Sequence, residues 1–264
     1  MKYVIDHDYH IHSHLSLCSN DPMQTAERIL QYAKDYNFTS FCVTDHHWDE
    51  NVPGASPWYE RQDYDHISQI LPLPAADGIR TLFGCETDLN MSLTLGMSPE
   101  RYDNFDFIII PTTHLHMVYN IDKNLLDTTE RARIWTERLD AVLNMPLPFH
   151  KIGLAHMTCE LTYPASHDGY IETMTKLRDD DMERLFSKAA KLGMGIEINA
   201  PCFNFENSET EVLLRPYKIA KACGCKFYLG SDAHFPNQLD EAIPLFKRAI
   251  DLLDLTEDDK FHAS

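Results

Sequence analysis

His10-Ile11-His12 sets two imidazoles two residues apart in a run of β-branched and aromatic residues. On a strand that spacing turns both side chains to one side, where two nitrogens can reach one ion. Asp232-Ala233-His234 repeats the geometry with a carboxylate and an imidazole near the other end of the chain. Between them stand His46, Glu86, His114 and His156, in a chain that carries 14 histidines, many beside another His or an Asp. Neutral imidazole and carboxylate together suit zinc, iron or manganese, and a carboxylate such as Glu86 can bridge two ions at catalytic separation. The chemistry these residues predict is hydrolysis at a cluster of two or three divalent metal ions.

Residues so far apart meet only if the fold gathers them. Strand-like runs recur at Tyr3 to Ile11, Phe38 to Thr44, Arg80 to Cys85, Phe105 to Ile110, Ile152 to Ala155, Gly195 to Ile198 and Lys226 to Leu229, separated by helical patterns. Asp21-Pro22 offers an N-cap and a first-turn proline for a helix whose face carries Ile29, Leu30, Ala33 and Tyr36. Met182, Leu185, Phe186, Ala189 and Leu192 mark a helix stopped by Gly193, and Leu239 to Leu253 marks the last one. The alternation implies an α/β fold with a parallel sheet closed into a barrel, whose strand C-termini converge on one mouth. In that register His10 and His12, His46, Glu86, His114, His156, Glu197, and Asp232 with His234 stand at successive strand ends. Long irregular stretches at Asp49 to Asp65 and Met157 to Tyr170 have the length of lids or binding loops.

Length and composition agree. A 264-residue chain with 44% hydrophobic residues suits one domain over residues 1–264. The formal net charge of -18 disfavours nucleic acid and other polyanions as partners. Seven scattered cysteines without a Cys-x-x-Cys pair read as reduced thiols of a cytoplasmic protein. Neither a leader pattern nor an apolar run near the ~18 residues of a membrane span is visible.

The ordered set His10-x-His12-Ser13, Thr44-Asp45-His46, Gly84-Cys85-Glu86, isolated His114 and His156, and Gly230-Ser231-Asp232-Ala233-His234 resembles the polymerase and histidinol phosphatase (PHP) superfamily. The resemblance spans residues 8 to 234 and implies a distorted (β/α)7 TIM-like barrel that hydrolyses a small phosphorylated substrate. Carried over by position, it implies that His10, His12, Glu86 and Asp232 hold one ion, and that Glu86, His114 and His156 hold another. A further ion falls to His46 and His234. Its remaining ligand in the family is a His or Asp six residues after the second motif histidine, and here that residue is Cys18. A thiolate there would favour zinc; a packing role would leave that ion weakly held, with Asn20 and Asp21 as substitutes.

Other residues carry lesser expectations. His47 follows His46 and points the other way on an extended segment, toward substrate or an outer layer. Asp45 is expected to orient a ligand imidazole. Glu197 and Asn199 end a strand at the mouth and face either substrate or structure. His116 is the alternative to His114, while His7, His66, His150, His167 and His262 read as surface or loop residues. Histidinol phosphate is one expected ester, hydrolysed by a water that the ions activate. However, the arginine that histidinol phosphatases of this type carry after the Glu-x-Asn strand is missing from Ala200 to Phe205, which leaves Arg131, Arg133 or Arg215 to reach the mouth. Two other readings stand beside this one. A C–N hydrolase of the amidohydrolase kind would need a bridging lysine, and a noncatalytic metal-binding domain is suggested by Cys18 alone.

Overall fold

The computed structural model describes residues 1–117, 119–122 and 124–263. Its strands are β1 (His7–Ile11), β2 (Ser40–Val43), β3 (His46–His47), β4 (Arg80–Thr87), β5 (Phe107–Pro111), β6 (Ile152–Ala155), β7 (Gly195–Asn199) and β8 (Lys226–Gly230). They pair in parallel in the order β1-β2-β4-β5-β6-β7-β8, and the two-residue β3 continues the path of β2 alongside β4. The helices are α1 (Ala26–Asp35), α2 (Tyr64–Ile67), α3 (Thr128–Leu143), α4 (His167–Lys176), α5 (Asp179–Leu192), α6 (Thr210–Ala222) and α7 (Pro236–Leu253).

The ring closes between β8 and β1 without a regular ladder. At the mouth, Asp232 N–H donates to His10 O (2.7 Å) and His12 N–H to Ala233 O (3.1 Å). Below it, side chains of β1 replace backbone partners: Leu229 N–H donates to His7 Nε2 (3.1 Å) and Ser231 N–H to an Asp8 carboxylate oxygen (3.0 Å). His7 is therefore a buried seam residue and not a surface one as its type suggested, because a buried backbone N–H must find an acceptor.

Strand alternation divides the apolar residues into two bodies. Tyr9, Cys42, Leu82, Phe107, Ile109, Ala155 and Tyr228 fill the barrel with Phe261 and Ala263 of the C-terminal tail. Their neighbours Phe41, Val43, Phe83, Ile108, Ile110, Leu154, Phe227 and Leu229 face the helices. Gly153 admits the interior rings, since a Cβ there would stand 2.5 Å from the Tyr228 hydroxyl and 2.7 Å from Phe107.

Two boundaries differ from the sequence reading. Thr25, not Asp21, caps α1, accepting from Arg28 N, while Asp21 turns back to Met23 N–H. The first strand begins at His7 because Tyr3 leaves the sheet to bond Leu255 O through its N–H and Phe227 O through its hydroxyl. Gly193 ends α5 in the left-handed conformation (φ 81°), as the sequence predicted. All seven cysteines are free thiols, and among the described residues no helix is long and apolar enough to cross a membrane.

The tight interior generates one expectation. Gly153→Ala forces Tyr228 and Phe107 apart and should lower unfolding free energy by about 1–3 kcal/mol, read from urea denaturation.

Candidate metal centre

The mouth gathers the predicted residues into three overlapping donor groups: His10, His12 and Glu86; Glu86, His114 and His156; and His12, Cys18, His46 and His234. Within each group the donor atoms lie within 4.8 Å of one another. Asp232 joins them, with its Oδ1 3.4 Å from His10 Nε2 and 3.2 Å from His12 Nε2. Glu86 sits at the middle. One of its oxygens faces His10 and His12 at 3.5 and 3.4 Å and His46 Nδ1 at 3.1 Å, and the other faces His156 Nε2 at 3.1 Å and His114 Nε2 at 3.8 Å.

Five of the six imidazoles are oriented from behind. His10 Nδ1 meets Glu197 Oε1 at 2.7 Å, and the other oxygen of Glu197 accepts the His156 backbone N–H at 2.6 Å. His12 Nδ1 meets Ser16 Oγ at 3.0 Å, and that hydroxyl donates to Asp45, whose carboxylate also accepts both the N–H and the hydroxyl of Ser13. His114 Nδ1 meets Asp88 (3.1 Å), His156 Nδ1 meets Thr113 Oγ1 (2.9 Å) and His234 Nδ1 meets the Asp232 carbonyl (2.8 Å). Thr113 gives its own proton to the His156 carbonyl, so its lone pair receives Nδ1–H. With every Nδ1 engaged by an acceptor, Nε2 is the atom that each of these five rings turns toward the centre.

Two backbone positions reinforce the convergence. His156 (φ 22°) and Asp232 (φ 54°) adopt left-handed conformations that non-glycine residues rarely accept. Such strain persists only where surrounding contacts overdetermine it; here the hydrogen bonds of the two backbone N–H groups, to Glu197 and to His10 O, hold it.

The donor set fits divalent ions. His46 Nδ1 is buried and hydrogen-bonds to nothing although Glu86 is 3.1 Å away, so both atoms point at a common position beside them and not at each other. Burial opposes charge throughout, yet Glu197, Asp232 and Glu86 hold His10 protonated well above the usual imidazole range. Burial also opposes the charges of Glu86 and Asp232, which the histidines overcome, His46 and His10 foremost at Glu86 and His10 at Asp232. His46, by contrast, is driven well below its usual value by burial, as is His234, to about 4. A cluster that otherwise needs protons to balance its carboxylates is one where bound cations do so directly.

Several expectations change on this geometry. His47 is fully buried against Phe105 (ring centroids 5.2 Å apart), on the far side of its strand from His46, and burial pushes it down to about 4. It touches neither the mouth nor a ligand. Glu197 lies entirely behind His10, and Asn199 offers its amide to Asp232 Oδ2 at 3.4 Å, so both act on neighbouring side chains. Arg131 spends its guanidinium on the carbonyls of Leu115, Leu125 and Thr162, Arg133 on Glu130 and Glu137, and Arg215 on Asp179 and Met174 O. None of the three reaches the mouth. Asp88, Arg138 and Ser16 went unread: Asp88 is two residues past Glu86 on the same side of β4's path, and buried Arg138 (3.0 Å) balances its charge. The Glu-x-Asp spacing was the available signal.

A parallel barrel with imidazoles and carboxylates collected at its strand C-termini defines a metal-binding barrel protein. Residues 8–201 match the PHP domain model, and the chain belongs to that family. It is 25% identical over 229 residues to a "Probable phosphatase" of Caldicellulosiruptor saccharolyticus, covering 86% of this chain and 80% of the relative. Two crystal structures share the fold. A histidinol phosphate phosphatase of Lactococcus lactis subsp. lactis Il1403, complexed with zinc, L-histidinol and phosphate, superposes with TM-score 0.59 at 20% identity, over 92% of this chain and 93% of that one. A protein of Listeria monocytogenes proposed as a histidinol phosphatase gives TM-score 0.60 at 11% identity, over 88% and 96%.

Glu197→Gln keeps the side chain's size but weakens the orientation of His10. Zinc affinity in a competitive chelator titration should fall about 10–100-fold with the circular dichroism spectrum unchanged.

Proposed function

We propose that this chain hydrolyses a small phosphate monoester at two or three divalent ions, zinc, iron or manganese, held by His10, His12, Cys18, His46, Glu86, His114, His156, Asp232 and His234. The observation that carries the reading is the overlap of three donor groups through Glu86 and His12, the pattern of a multinuclear centre. Bound ions supply Lewis acidity, which lowers the pKa of water and offsets phosphoryl charge. The chain's own residues hold that arrangement. Glu197, Ser16, Asp88 and Thr113 fix imidazole tautomers, and Asn199 steadies Asp232. In the reaction, water oxygen bonds to phosphorus as the bond to the leaving oxygen breaks, giving an alcohol and inorganic phosphate.

A cavity of about 510 Å³ opens on the cluster, lined by Cys18, His46, Glu86, His114, Asp232 and His234. Its size suits a small ester. Histidinol phosphate, the substrate class that the Lactococcus and Listeria descriptions suggest, is the first ester to test. A C–N hydrolase of the amidohydrolase kind has less support, since Glu86 is shared by two donor groups and, among the described residues, no lysine lines the cavity. A noncatalytic domain has less support too, because Cys18 completes the third group where a lost ligand would have opened it.

The experiment is metal analysis with a panel of phosphate esters that includes histidinol phosphate. Two or three equivalents of metal and chelator-sensitive phosphate release are expected. Protein that binds no metal and releases no phosphate with any added ion would refute the reading. Glu86→Gln should reduce kcat on the order of 1000-fold, since it removes the charge shared by two donor groups. Cys18→Ala should lower the bound metal by one equivalent while leaving the Glu86, His114 and His156 group occupied.

A further inference from the structure

Beside the imidazoles, that cavity has an apolar and aromatic lining. Trp58 and Tyr59 come from the long loop between β3 and α2, Met117 and Tyr119 from the segment after β5, and Leu161 from the segment after β6. Trp58 stands edge-on to both His46 and Tyr59, with ring centroids 4.9 Å apart in each case. Tyr59 is 2% exposed, and its hydroxyl is buried without a hydrogen-bond partner in the protein. An unmet buried hydroxyl is costly, and a bound ligand is one way to meet it.

Charge in the cavity points the same way. Among the described residues its only carboxylates are Glu86 and Asp232, both already facing imidazoles, and neither lysine nor arginine lines it. An ammonium group entering there finds no unshared counter-charge, whereas a flat ring finds the faces and edges of Trp58 and Tyr119 and the side chains of Met117 and Leu161.

We propose that this cavity is the leaving-group site, that it selects phosphate esters of alcohols bearing an uncharged flat ring, and that the Tyr59 hydroxyl donates to an oxygen of the bound ester. The proposal rests on the phosphoesterase reading above. Histidinol phosphate carries both a ring and an amine, so it does not separate the two features; 2-phenylethyl phosphate and phosphoethanolamine do, each being the ester of a primary alcohol.

The test uses the full chain supplied with zinc. 2-Phenylethyl phosphate should be turned over with kcat/KM about 10–100-fold above phosphoethanolamine, the advantage expected from burying one ring. 2-Phenylethanol, without any phosphate, should change tryptophan fluorescence, and Trp58→Phe should remove most of that change because, of the three tryptophans, Trp58 is the one that lines the cavity, while Trp48 is buried against Tyr59 (ring centroids 5.6 Å apart) and Trp135 against Phe186. Tyr59→Phe should cut kcat/KM for the ring ester about 10-fold while metal content and the 2-phenylethanol response stay as in the parent. Equal turnover of the two esters, or a fluorescence change undiminished by Trp58→Phe, overturns the ring site even if the chain is a phosphatase. No turnover of either ester overturns the leaving-group site if other esters of the panel are hydrolysed, and overturns the phosphoesterase reading with it if none is. Tyr59→Phe indistinguishable from the parent in kcat/KM overturns the donor role.

Discussion

A carboxylate buried at the top of a barrel is the constraint around which this molecule is arranged. Glu86 is 1% exposed, and the cost of burying its charge is met only by surrounding it with groups that carry or attract positive charge. Five imidazoles approach it, from β1, β3, the segment after β5 and the end of β6. Burial, with the neighbouring imidazoles adding to it, drives His46 down, while against the same burial the carboxylates of Glu197, Asp232 and Glu86 hold His10 up. The same crowding that makes the cluster unfavourable on its own makes it receptive to divalent ions.

Holding the cluster open is the task of the residues behind it. Glu197 ties β1 to the end of β6 by grasping the His10 ring and the His156 backbone at once. Gly230 makes room for it, since a Cβ there would collide with the Glu197 carboxylate. Asp45 gathers Ser13 and Ser16 so that β1 and β2 share one hydrogen-bonded corner. Barrel closure and site orientation are thus parts of one network. The seam between β8 and β1 is sealed at the mouth by backbone bonds of His10, His12 and Asp232, residues whose side chains belong to the donor groups.

The loops add what the strands cannot. Strand ends deliver polar groups to a common centre, but the apolar wall with Trp58, Tyr59 and Leu161 arrives from loops between elements. That division separates chemistry common to the fold from selection particular to the chain. The arginines weighed for anchoring phosphate are all committed elsewhere, which leaves orientation of an ester to the cluster itself and to the loop side chains.

Much of this was legible in the amino-acid order because it is periodic or local. Alternation along strands placed His10 with His12 and turned His47 away from His46, and Gly193 stopped α5 where only a left-handed residue ends a helix cheaply. The repeated strand and helix pattern implied a parallel barrel, and a parallel barrel implies that its strand ends meet. What the order of residues could not determine was which distant side chain would satisfy each buried polar group. His7 closing onto Leu229, Asp88 pairing with Arg138 and Glu197 reaching both His10 and His156 are contacts across 41 to 222 residues. They follow from three-dimensional proximity under the rule that a buried donor or charge must be met, and only the assembled tertiary structure says by whom.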